Sequence, residues 1–387
     1  MFKKITLKAT ALMLIAMLML ICFNISAFAV DSPIVGGQSV ILMDPRSEQV
    51  LFERNADEKC SIASITKIMT TLVAMDKIES GEISFNEKAT VSREAASIEG
   101  SRIYLMTNDQ ITVHDLLIAT VVRSANDAAY ALAEHISSGN IEDFVALMNA
   151  KAKELGMTNT HFANPEGLEH PENYSTARDI TKMAMKFCEN STLAELAKAP
   201  SAVIRNNKVT IENTNVFLKK YPGATGLKTG YTEAAGYCLV ATASREGTDL
   251  LSVILNLPDD NARIRETEAL MDWGFANFKS VGVSIKGQSM GHIKISNSDI
   301  YRVSVIAAND FSVIVSKNVE IGTDLKVVIE KNKVKAPFEA GKAIGVAKLM
   351  KGNEELGRVD LLAEVSAKKT NIFVRIWRAI TGIFSRD

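Results

Sequence analysis

Three short polar patterns in this chain carry residue types that could do nucleophilic chemistry. The first is Ser64-Ile65-Thr66-Lys67, in which a serine precedes a lysine by three positions. Residues three apart on a helix share a face, so the Lys67 amine can reach the Ser64 hydroxyl. A serine hydroxyl is a weak nucleophile until a base takes its proton. A lysine can be that base only where burial and neighbouring cations lower its pKa. The second pattern is Ser124-Ala125-Asn126 and the third is Lys228-Thr229-Gly230. Each alone is weak. Ser366-Ala367-Lys368-Lys369 repeats the first in a basic polar stretch, and Ser138-Gly139-Asn140 repeats the second at a helix end. Lys-Thr-Gly occurs once.

The elements around these patterns set their context. Apolar residues Ile65, Ile68, Met69, Leu72 and Val73 predict a helix that starts near Ser64 and stops at Ser80-Gly81. Ser64 would then lie among the free N–H groups of a helix N-terminus, useful where negative charge develops. Ser124 falls in a polar break between apolar helical patterns at Thr112–Thr120 and Ala128–Ile136. Ser39–Met43 and Val50–Phe52 read as strands joined by a turn. Further helices are expected over Ile141–Leu155, from a cap at Ser175-Thr176 to Phe187, and over Ala262–Phe278. Gly226–Thr232 leads into a strand at Tyr237–Thr242, paired with Leu250–Leu255 in an antiparallel hairpin.

After Phe278 the helical periods stop and short β-rich runs take over, which predicts a small all-β domain over 280–367. At the other end, Lys3, Lys4 and Lys8, an apolar run from Ala9 to Phe23, and Ala27-Phe28-Ala29 form a signal-peptide pattern over 1–29. An uncleaved anchor is the alternative for that segment. Cleavage would change the formal net charge from −1 to −4, and neither value suggests a nucleic-acid partner. In the tail, residues 368–387, Phe373, Ile376, Trp377, Ile380, Ile383 and Phe384 share a helical face while basic residues lie elsewhere. That suits a helix lying on a membrane surface. Three cysteines remain after cleavage (Cys60, Cys188 and Cys238), an odd count expected to be buried free thiols. The five histidines are scattered, so no metal and no cofactor is expected.

The three patterns in this order, on an exported chain, make a strong signal together. Here the sequence resembles the serine D-alanyl-D-alanine carboxypeptidases, the low-molecular-weight penicillin-binding proteins of peptidase family S11. The resemblance also covers Tyr174-Ser175-Thr176-Ala177-Arg178-Asp179, Gly226–Thr232, Trp273-Gly274-Phe275, the β-rich region and the amphipathic tail. It implies an α/β (α+β) chain. A penicillin-recognising DD-peptidase/β-lactamase-like catalytic domain over 30–279, with an antiparallel sheet flanked by helices, is followed by the all-β domain.

The resemblance also implies roles. Ser64 is the nucleophile toward the bond between two D-alanines of a peptidoglycan stem peptide. Lys67 is its base, held near neutral pKa by burial and by Lys228. Ser124 relays a proton to the leaving D-alanine, and Asn126 binds substrate or orients Lys67. The backbone N–H groups of Ser64 and Tyr231 make an oxyanion hole beside Gly230, and Thr229 and Arg263 bind the terminal carboxylate. β-Lactams would acylate Ser64. Asn126 could instead cap a helix, Thr229 could be a plain strand residue, and Arg263 could be solvated like Arg265. A serine β-lactamase, with Glu166 as its water-activating base, is an alternative reading, as are a transpeptidase and a non-enzymatic β-lactam or wall-binding protein. The Asn164-Pro165-Glu166-Gly167-Leu168 context, however, resembles the carboxypeptidases.

Overall fold

The computed structural model describes residues 32–370 apart from 207 and 333. The signal-peptide pattern over 1–29 and most of the amphipathic tail lie outside the described residues. A five-stranded antiparallel sheet forms the centre of the first part. Its strands are β1 (Ser39–Met43), β2 (Val50–Arg54), β3 (Ala224–Thr232), β4 (Gly236–Arg245) and β5 (Thr248–Leu257), in the order β2-β1-β5-β4-β3. β3 is therefore an edge.

Both faces of this sheet are buried, which explains why β1 reads as the unbroken apolar run Val40–Met43. Side chains alternate across the sheet. Ile41 and Met43 point to one side, where they join Ile65, Ile68 and Leu72 of the nucleophile-bearing segment. Val40 and Leu42 point to the other, where they meet Leu270, Met271 and Phe275. The first side is covered by α1 (Lys67–Glu79), α2 (Asn126–Ile136), α3 (Ala177–Glu189) and their neighbours, the second by α4 (Asp260–Asn277). Caps fix where these helices start. The Thr176 hydroxyl accepts from the Asp179 N–H and the Asp259 carboxylate from the Ala262 N–H.

Among the described residues beyond α4 the regular elements are all strands. Phe278–Ser284 pairs with Phe311–Ser316. Ser289–Lys294, Arg302–Ala307, Leu325–Lys331, Ala343–Lys351 and Glu354–Ala363 form a second five-stranded antiparallel sheet. A separate core gathers around Val303, Val305, Ile344, Ala347 and Leu361.

Several elements differ from the sequence expectations. Ala224–Thr232 is a nine-residue strand rather than a lead-in to one. Ser64 lies in a 3-10 turn, Ala63–Thr66, and the α-helix begins only at Lys67. Cys60 and Cys238 are buried free thiols, but Cys188, near the end of α3, is exposed.

Candidate active site

Ser64 is held by an unusual piece of backbone. Ala63 has φ +46, a left-handed conformation that costs an alanine about 1–2 kcal/mol. The surroundings enforce it. Ile65 N–H bonds back to the Ile62 carbonyl, and Ile62, Ala63 and Ile65 are all buried. Strain of this kind persists only where the rest of the structure over-determines it. Here it turns the Ser64 side chain out of the core, half-buried at the floor of a groove.

The 3-10 turn keeps Ser64 and Lys67 on one side. Lys67 Nζ lies 2.8 Å from Ser64 Oγ and 2.7 Å from Asn126 Oδ1, and it also bonds the Glu166 carbonyl. Asn126 cannot turn its amide around, because its Nδ2 donates to the Glu99 carbonyl at 2.6 Å. Nζ thus meets three oxygens, and two of them, the Asn126 Oδ1 and the Glu166 carbonyl, can only accept; once the amine is neutral its two N–H bonds can go to these two, which leaves its lone pair for the Ser64 proton. Burial brings the Lys67 pKa down to about 7, opposed by the charges of Glu166 and Asp127.

Ser124 arrives from a different device. The helix Val113–Ile118 runs into a π turn, Ala119–Arg123, that ends at Ser124 in the left-handed region with φ +58. The extra residue of a π turn throws the chain outward. Ser124 is thereby set opposite Ser64, with its hydroxyl 2.7 Å from Lys228 Nζ. Lys228 also donates to the Thr229 carbonyl at 2.9 Å. It is fully buried on the edge strand β3, and burial, then the charges of Lys67 and Arg263, push its pKa well below the usual lysine range.

β3 must come very close to the nucleophile turn, and Gly230 permits it. A Cβ there would sit 2.9 Å from the Ile62 carbonyl oxygen and 3.3 Å from Ala63 Cβ. On the other side, the loop 164–168 packs on the same turn. Gly167 has φ +79, and a Cβ would fall 2.1 Å from the Ala63 carbonyl oxygen.

The resulting groove is a cavity of about 320 Å³ that brings Ser64, Ser124, Asn126, Thr229, Gly230, Tyr231 and Arg263 together around one space, with Lys67 and Lys228 directly beneath. Arg263 is 7 % exposed, with one guanidinium nitrogen 3.5 Å from the Gly230 carbonyl and another paired with Asp260. Its Nε is buried without a hydrogen-bond partner, so it retains a donor. Arg265, by contrast, is exposed and pairs with its neighbour Glu266.

Sequence reasoning missed three contributors. The Asp127 carboxylate accepts the N–H groups of Ile103, Leu105 and Ala128, which ties the 98–109 loop to the groove. Its position directly after Ser-Ala-Asn was the available signal. Ser101 lines the groove, and its carbonyl accepts the Asn126 N–H at 2.7 Å. Thr214 places its hydroxyl 3.1 Å from that of Thr229, and nothing in its local sequence marks it. Arg178 and Asp179 are held by partners outside the groove. Arg178 pairs with Glu53 and Asp57, and Asp179 caps backbone and binds Lys182.

Comparison with known proteins agrees with this geometry. Residues 26–259 match the family model described as D-alanyl-D-alanine carboxypeptidase. The chain belongs to that family. Residues 278–369 match the model of the penicillin-binding protein 5 C-terminal domain. The chain is 31 % identical to the D-alanyl-D-alanine carboxypeptidase DacF of Bacillus subtilis over 89 % of each. It is 32 % identical to DacC of Escherichia coli over 92 % of each. Among solved structures, penicillin-binding protein 5 from Haemophilus influenzae superposes with a TM-score of 0.77 at 30 % identity, covering 87 % of this chain and 99 % of that one. The mixed α/β catalytic part with its antiparallel sheet, followed by an all-β part, is therefore the penicillin-recognising architecture.

Proposed function

We propose that this enzyme releases the terminal D-alanine of peptidoglycan stem peptides by way of an acyl-enzyme on Ser64. Membership in the carboxypeptidase family makes it a serine hydrolase acting on D-alanyl-D-alanine termini. The observation that carries the residue assignment is the pair of hydrogen-bonded couples, Ser64–Lys67 and Ser124–Lys228, facing one groove.

The geometry supports a sequence of steps. Ser64 Oγ attacks the carbonyl carbon between the two D-alanines as its proton passes to the neutral Lys67 amine. The developing oxyanion lies between the backbone N–H groups of Ser64 and Tyr231, next to Gly230. The C–N bond breaks, and Ser124 hands a proton to the leaving amine while taking in its place the one Lys67 accepted from Ser64, with Lys228 holding its hydroxyl in place. Thr229 and Arg263 take the free carboxylate, since an exposed C-terminus needs a cation and a hydroxyl donor to be recognised. Water then hydrolyses the ester. A β-lactam presents a similar carbonyl and carboxylate and acylates Ser64.

Residues 1–29 act as an export signal in this reading, and 30–279 form the catalytic domain. The β-rich domain at 280–367 carries an amphipathic membrane-surface helix at 368–387, which places the enzyme on the outer face of the cytoplasmic membrane. Among the described residues no helix is long and apolar enough to cross a membrane. The test is release of D-alanine from an N-acetylated peptide ending in D-Ala-D-Ala. The intact enzyme should release it and Ser64→Ala should not. Equal release by both would remove Ser64 from the mechanism.

A further inference from the structure

Glu166 has no part in the steps above, yet its side chain is 5 % exposed and its Oε2 is buried with no hydrogen-bond partner. Burying a carboxyl that way is costly unless something answers it. The loop that carries it is tightly placed. The Thr70 hydroxyl donates to the Pro165 carbonyl at 2.6 Å, and Gly167 N–H donates to Asn164 Oδ1 at 2.7 Å. The Glu166 carbonyl itself accepts from Lys67 Nζ. Lys67 is the charged neighbour that acts on the Glu166 carboxyl.

The charged and titratable groups around this spot are few. α1 presents Lys67. α2 presents Asp127 and Tyr130, both close enough to feel or exert charge here. β3 presents Lys228, which feels the charges of Lys67 and of Arg263 on α4. Asp127 is already engaged, because its carboxylate accepts three backbone N–H groups. Lys228 is engaged with Ser124 and the Thr229 carbonyl. Of the two carboxylates near Lys67, Glu166 is the one with an oxygen left to answer a new positive charge.

We propose that Glu166 is a positioning residue for acylation, whose carboxylate stabilises the Lys67 ammonium formed when the amine takes the Ser64 proton. As the Ser64 Oγ–C bond forms, the Oγ–H bond breaks and its proton resides on Lys67 Nζ. The negative charge goes to the oxyanion and the positive charge is shared with Glu166. No co-reactant is needed, and the proton leaves with the D-alanine amine. Burial pushes the Glu166 carboxyl above the usual carboxylate range while Lys67 pulls it down. The same contact raises the basicity of Lys67 against the pull of burial.

This inference rests on the Ser64–Lys67 reading, and the experiment separates the two. The acylation rate of the full chain by benzylpenicillin is followed from pH 5 to 9 by intact mass. In Glu166→Gln the acid limb of the rate moves to lower pH, because Lys67 loses the charge that raises its pKa. The plateau rate falls about tenfold, the scale of losing one nearby buried charge. Glu166→Asp keeps the charge and stays nearer the wild-type limb than E166Q does. Should E166Q not fold, Glu166→Thr is a second neutral variant with the same expectation. A folded neutral variant whose limb stays at the wild-type pH, or whose rate falls equally at every pH, overturns the role of Glu166 and leaves Ser64 untouched. Failure of the wild-type chain itself to form an adduct would overturn the Ser64 reading, and this inference with it.

Discussion

Replacing Lys67 by methionine should abolish activity and yet stabilise the fold at low pH. The folded-state pKa of about 7 lies below the ordinary lysine value of 10.5. That drop is equivalent to about 5 kcal/mol of folding free energy. Below pH 7 both the folded and the unfolded chain carry the ammonium, and the full burial cost is present. Between pH 7 and 10.5 the unfolded chain holds a proton that the folded chain lacks, so wild-type stability rises with pH in that window. Above it the cost is gone. Methionine fills the space of the lysine stem and removes this cost, but it leaves the Asn126 Oδ1 and Glu166 carbonyl oxygens without their donor. Each lost bond is worth about 1–3 kcal/mol. With each of those two losses near about 2 kcal/mol, the net expectation is a gain of about 1 kcal/mol for Lys67→Met at pH 6 and a loss of about 3 kcal/mol by pH 10. Urea unfolding of both proteins at several pH values measures it. A variant less stable than wild type at pH 6, or a difference independent of pH, would refute the view that burial of the Lys67 charge sets its basicity.

Three other consequences can be checked directly. Acylation by benzylpenicillin should rise about tenfold per pH unit up to about pH 7, where Lys67 loses its proton, and then level; a flat stopped-flow profile counts against a lysine base. Gly230→Ala introduces a Cβ 2.9 Å from the Ile62 carbonyl oxygen, so β3 must move away from Ser64. The cost should be about 1–3 kcal/mol in a urea melt and at least about tenfold in kcat/KM. Asp127→Asn trades a carboxylate that accepts three N–H groups for an amide with one acceptor oxygen, and it should destabilise the chain by about 2 kcal/mol and raise hydrogen exchange in residues 98–109. Unchanged exchange there would remove Asp127 as the anchor of that loop.

Much of this molecule could be read from its residues, and each exception has a physical cause. β1, β4, β5 and α4 were legible because their apolar residues are continuous or periodic, as a sheet covered on both faces and its covering helix require. β3 was not, because Gly226, Lys228, Thr229 and Gly230 bury polar or side-chain-free positions for the sake of the site. Function thus erased the pattern that would have announced the strand. The helix Ser191–Lys198 and the hairpin of Ser201–Ile204 with Val209–Glu212 were also missed, being short and mostly half-exposed. Spacing placed Ser64 beside Lys67, but it could not show the left-handed Ala63 or the π turn behind Ser124, which are decided by packing around them. The partners Thr214, Ser101 and Asp127 come from segments far apart in sequence, so only the folded chain assembles them.

The central claim is that Ser64 is the acylated residue. The measurement is the intact mass of the full chain after incubation with benzylpenicillin, followed by peptide mapping, with Ser64→Ala alongside. The account predicts one added penicillin, carried by the peptide that contains Ser64 and absent from S64A. An adduct of the same size on S64A, or on any other peptide of the wild-type chain, would contradict it.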